Sequence, residues 1–100
     1  MGLPSFLQVY LPSYDISKFD PKSSVVAREV ITQVLNQGDE RAVKWVFDNY
    51  TLDQIRECVK RPQRGTWFEE SINYWKTILK IGNISNYKQA ILNIYPDKNI

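Results

Sequence analysis

The sequence contains no histidine and a single cysteine, Cys58. The first absence removes the commonest general base and the commonest zinc ligand together. The second rules out an internal disulfide, and with no histidine it also rules out a structural zinc site. The four glycines, at positions 2, 38, 65 and 82, are isolated, so no Gly-rich loop can cradle a phosphate. No G-x-S-x-G nucleophile elbow occurs. No apolar run is long enough to cross a membrane. No signal peptide is read ahead of the globular sequence, and Phe6 stands where a myristoylation signal carries Ser or Thr. A cytoplasmic protein with no membrane partner is therefore expected, and the N-x-Ser/Thr matches at Asn49 and Asn83 read as chance.

The carboxylates that remain offer little chemistry. Glu69-Glu70 and Asp39-Glu40 are adjacent pairs, but both fall where a helix start favours negative charge. Neighbours on a helix also point about 100° apart, a poor arrangement for a shared site. Cys58 lies at or beside an apolar stripe and reads as a small core residue, although Arg56 and Lys60 would lower its pKa if it were exposed. No enzymatic activity, cofactor or metal is expected.

What is present points to one folded domain. The chain has 100 residues, 43% hydrophobic with thirteen aromatics, which excludes disorder. The net charge of +2 hides an asymmetry: residues 1–55 carry five basic and seven acidic groups, residues 56–100 eight and four. That is a mild bias toward an acidic partner, weaker than the footprint of a committed nucleic-acid binder.

Helical periodicity dominates. Asp20-Pro21 reads as a helix start, with Val26, Ala27, Val30, Ile31, Val34 and Leu35 inward and Gly38 at the end. Asp39 caps a second helix whose apolar face is Ala42, Val43, Val46, Phe47 and Tyr50, widened by Trp45. Thr51 and Gln54 form a capping box opening a third helix, with Leu52, Ile55, Cys58 and Val59 on one stripe. Pro62 ends it, and Gly65 supplies a turn conformation closed to other residues. Thr66 and Glu69 form a further capping box, so a fourth helix should begin at Trp67. Phe68, Ile72, Trp75 and Leu79, with Ile78 beside them, would be its buried stripe. Ile81-Gly82-Asn83 ends it, and a short fifth helix is expected from Asn86 to Ile94, stopped by Pro96. The fold class is thus all-α, a single bundle of four main helices plus a short C-terminal one. Residues 1–19 form an arm, extended or single-turn, that lays Phe6, Leu7, Tyr10, Ile16 and Phe19 on the body or on a partner. Residues 20–96 are the helical domain and 97–100 a tail.

The bend between the third and fourth helices concentrates charge. Arg56, Lys60, Arg61 and Arg64 would make an anion- or partner-binding patch, with Trp67 as a flat neighbour for stacking or a cation–π contact. The same residues also serve as solvated charges complementing a helix end, with Trp67 capping the core. Two helices joined by this turn resemble a helix-turn-helix in outline, but the turn is long and Trp67-Phe68-Glu69-Glu70 places acid where a recognition helix meets phosphate.

The run Arg28 to Asp39 (REVITQVLNQGD), then Ala42 to Tyr50 (AVKWVFDNY), Ile55 to Trp67 (IRECVKRPQRGTW) and Ile72 to Trp75 (INYW) resembles a widespread family of small uncharacterised prokaryotic proteins. The resemblance covers Ser24 to Leu79; where the family more usually has Asn-Phe-Trp, this chain has Asn73-Tyr74-Trp75. It carries over no catalytic residue. Members are often encoded beside nucleotidyltransferase-like toxins of the abortive-infection type, which implies an antitoxin or accessory role. The expectation is a small interaction module with a protein partner, Arg56, Lys60, Arg61, Arg64 and Trp67 facing it. The alternative is a DNA-binding regulator using the same bend, and a homodimer is left open.

Overall fold

A computed structural model of the chain describes residues 2–92. It is all-α: α1 (Ser24–Gln37), α2 (Glu40–Asn49), α3 (Leu52–Lys60), α4 (Glu69–Ile78) and a single-turn α5 (Tyr87–Ala90), preceded by 3₁₀ turns at Ser5–Tyr10 and Ile16–Lys18. The expected tail, and the end of the fifth helix at Ile94, lie outside the described residues.

α1 is the centre, packing against α2, α3, α4 and the first 3₁₀ turn. Its second half is buried nearly all round, with Val30, Ile31, Thr32, Val34, Leu35 and Asn36 all shielded from solvent. That is the pattern of a helix enclosed by others rather than lying on a surface. The N-terminal residues cover one side of it: Leu3, Leu7, Leu11 and Ile16 are buried, and Phe6, Tyr10 and Phe19 pack partly against them. Tyr10 accepts the Asp39 N–H at 3.0 Å, which pins this segment to the start of α2.

The helix boundaries follow local chemistry where no distant group competes. Asp39 accepts the Ala42 N–H at 2.9 Å. Thr51 and Gln54 form the reciprocal capping box that their spacing predicts. Gly38 ends α1, but not through a left-handed turn, since its φ is −78°. Its requirement is space: a Cβ there would lie 2.6 Å from the Val34 carbonyl oxygen. Gly65 does use the left-handed region, at φ 68°.

Three expected boundaries are corrected. Asp20-Pro21 does not open α1; the Asp20 carboxylate accepts the Lys22 N–H in a local turn, and Ser23 caps the helix instead. Thr66 and Glu69 make no capping box, and α4 starts at Glu69 rather than Trp67. The reason is a competing partner: the Thr66 and Trp67 N–H groups both donate to the Ala90 carbonyl, holding residues 66–67 beside residues 89–92. The same pairing stops α5 at Ala90, since Ile91 is drawn into a parallel bridge with Trp67. Among the described residues that bridge is the only β-type pairing.

The C-terminal end of α1 is closed by α4. Trp75 Nε1 donates to the Leu35 carbonyl at 2.7 Å and Ser71 Oγ to the Asn36 carbonyl at 2.7 Å, satisfying acceptors that a helix end leaves free. α4 itself ends in a Schellman motif, with Ile81 N–H bonded to the Lys76 carbonyl and Lys80 in the left-handed position at φ 56°.

Candidate functional site

The basic bend begins on the outer side of α3. Arg56 is half-buried on that helix, Lys60 is its last residue, Arg61 follows as its C-cap and Arg64 is exposed beside Gly65. Glu57, on the same helix, forms ion pairs with both Lys60 (3.7 Å) and Arg61. The Arg61 carbonyl accepts from Arg28 Nη1 at 2.8 Å, and the Lys60 carbonyl from the Ser85 N–H at 2.9 Å. The bend is therefore tied to its own helix, to α1 and to the α4–α5 connection. Of these four cations, Arg56 and Arg64 form no salt bridge among the described residues.

Trp67 does not face a partner. It is fully buried, the largest completely enclosed side chain of the core. The extended pairing with Ala90 and Leu92 turns its indole inward, between the helical body and the last described residues. The patch expected from the sequence thus loses its flat aromatic member, and what remains there is a group of partly paired charges.

A groove of about 590 Å³ beside the bend is lined by Arg28, Glu29, Gln54, Glu57, Cys58 and Gln63. Its one thiol is poorly placed to react. Burial pushes the Cys58 thiol up from its ordinary value, against the opposing pull of the Arg28 guanidinium. Among the described residues no three His, Cys, Asp or Glu side chains group as a metal site would require, and no helix is long and apolar enough to cross a membrane.

A different face carries the unexpected surface chemistry. Phe47 of α2 and Tyr74 of α4 flank Trp75, with ring centroids 5.8 and 5.1 Å from it. Trp75 is nearly buried, anchored by its bond to the Leu35 carbonyl, whereas Phe47 is 38%, Tyr74 58% and Ile78 51% exposed. The expected assignment of Phe47, Phe68 and Ile78 to buried stripes is corrected: all three are exposed, as is Leu52 of α3. A sequence signal for this was available. The apolar residues of α4 span more than one face, Tyr74 and Ile78 lying one turn apart and off the arc of Ile72 and Leu79.

At the end of this row, a groove of about 480 Å³ separates the start of α2 from the middle of α4. Asp39, Glu40, Val43, Glu70, Tyr74 and Trp75 line it. The face thus combines an aromatic floor with an acidic rim. Comparison of the chain with models of known protein families, with curated proteins and with solved structures finds no match, so the resemblance over residues 24–79 rests on its own residues alone.

Proposed function

We propose that this chain is a small, non-enzymatic protein-interaction module that docks through the α2–α4 face rather than through the basic bend. The observation that carries this reading is the row Phe47, Trp75, Tyr74 and Ile78. Phe47, Tyr74 and Ile78 are large apolar groups left partly in water around the buried Trp75, although the chain buries a full core elsewhere. Contiguous exposed apolar side chains with polar neighbours mark contact surfaces. Aromatic anchors held rigid before binding lose little entropy when a partner arrives. A toxin-neutralising or accessory role, implied by the family resemblance, is one form of this reading, since neutralisation needs such a face.

The test is quantitative affinity capture from the cells that make the protein, comparing the wild type with Tyr74→Ser/Ile78→Asp and with Arg56→Ala/Arg64→Ala. All four positions are at least partly exposed, and circular dichroism checks that each variant folds. A protein held by the wild type and by the arginine variant, but released by Tyr74→Ser/Ile78→Asp, is expected. Equal retention by all three, or enrichment of nothing by the wild type, removes the reading. Loss with the arginine variant alone returns the contact surface to the basic bend.

A further inference from the structure

The acidic groove and the aromatic row are continuous, and together they restrict what can dock. Resting on the docking reading above, we infer that the occupant is an amphipathic helix of a partner protein that carries lysine or arginine at the end reaching the start of α2.

Asp39, Glu40 and Glu70 are all exposed at the groove. Among the described residues none of them forms a salt bridge. The cations closest in sequence to Asp39 and Glu40 are engaged elsewhere: Arg41 lies over the Phe6 ring at 4.2 Å, and Lys44 is paired with Asp48 at 2.7 Å. One Asp39 oxygen caps the Ala42 N–H, which accounts for that residue locally. Glu40 and Glu70 each complement their own helix dipole, which accounts for their residue type but not for their meeting at one groove. Among the described residues the result is a negative rim with no salt-bridged cation, which attracts cations and repels nucleic acid.

Val43 and Phe47 on α2, and Tyr74 and Ile78 on α4, are each spaced i, i+4, so each helix presents a ridge one turn long beside Trp75. A channel between two such ridges accepts the apolar face of a third helix. No unpaired strand edge borders it, because the one β-type pairing of the described residues lies at Trp67 and Ile91. The acids cluster at the Asp39–Glu40 end and the apolar groups toward Phe47 and Ile78, which sets the partner's charge at one end of its helix.

Amide chemical-shift titration of the full chain tests this with two probes: a blocked Leu/Lys peptide of about 14 residues with leucines at helical spacing, and its Leu/Glu counterpart. The lysine peptide should shift Val43, Phe47, Tyr74 and Ile78, and the glutamate peptide should not. Charge reversal by Glu40→Lys/Glu70→Lys should weaken the lysine peptide by about tenfold or more and admit the glutamate peptide. Equal binding of both peptides to this face would overturn the inference while leaving the docking reading intact. Shifts confined to other residues, or no shift with either peptide, would also overturn it, and affinity capture would still decide the docking reading separately. Shifts of the same residues on raising protein concentration without peptide would identify a second copy as the occupant and overturn the inference as well.

Discussion

Asn36 accepts the Phe68 N–H on its side-chain oxygen at 2.9 Å, while its side-chain nitrogen donates to the Thr66 carbonyl at 2.9 Å. One nearly buried amide on α1 therefore behaves like a strand edge toward the segment that leads into α4. Its own backbone carbonyl is occupied by Ser71. Three groups of the 66–71 segment thus depend on a single residue thirty positions earlier.

Replacing Asn36 with alanine should cost about 2–4 kcal/mol, because it strands a donor and an acceptor away from water as well as deleting their bonds. Urea denaturation measures this directly, and tryptophan emission should report looser packing around Trp67. A loss under about 0.5 kcal/mol would mean that water replaces the amide without strain.

The two Thr-x-x-Glu/Gln signatures show where sequence reading stops. Thr51–Gln54 forms its capping box, each side chain accepting the other residue's backbone N–H. Thr66–Glu69 has the same spacing and forms none, because the Ala90 carbonyl takes the Thr66 N–H that the box would use, while Asn36 holds the adjoining Thr66 carbonyl and Phe68 N–H. Local pattern was enough for the helical class, for Asp39 as a cap and for Cys58 and the α1 stripe as core. It was not enough where a segment remote in sequence competes for the same amides. The candidate site followed the same rule: the basic residues were visible as charges, but the burial of Trp67 depends on residues 89–92. The exposure of Tyr74 and Ile78 depends on how few neighbours α4 has on that side.

Tyr50 is buried, and its hydroxyl has no hydrogen-bond partner among the described residues. Tyr50→Phe keeps the edge-to-face contact with Trp45 and removes an unpaired polar atom. It should stabilise the protein by about 1 kcal/mol near neutral pH, read as a raised denaturation midpoint at unchanged slope.

The same hydroxyl gives the fold an alkaline limit. Burial first, then Cys58 and Asp20, push its pKa from 10.0 up to about 12, so the fold favours the neutral phenol. A neutral form held in this way contributes fully below about pH 10 and is lost as pH rises toward about 12. At pH 11 the wild type should have lost about 1.4 kcal/mol on this account, and Tyr50→Phe none of it. The variant's advantage over the wild type should therefore widen between pH 8 and pH 11 by roughly that amount; a constant advantage would show that the phenol ionises without cost in the fold.

Two positions invert the usual handling of glycine. Gly38 has an ordinary φ, yet Gly38→Ala should destabilise by about 1–3 kcal/mol because the new methyl meets the Val34 carbonyl oxygen. Lys80 occupies the left-handed position that glycine usually fills at a helix end, so Lys80→Gly should stabilise by about 0.5–1 kcal/mol. Thermal denaturation of both variants checks the pair, and the same sign for both would contradict the assignment of one to space and the other to backbone angle.

Trp67 separates a core role from a contact role most sharply. A fully enclosed indole should cost about 3–5 kcal/mol on Trp67→Ala, whereas Arg56→Ala and Arg64→Ala, at exposed or half-buried positions without ion-pair partners among the described residues, should each stay within about 0.5 kcal/mol. Trp67→Phe retains most of the apolar contact and removes an indole N–H that has no partner among the described residues, so it should cost well under the alanine change. Equilibrium denaturation of the four variants gives the ordering. If Trp67→Ala instead leaves stability unchanged, the ring cannot be packed between the body and residues 89–92, and the basic bend regains the aromatic neighbour that a docking surface there would need.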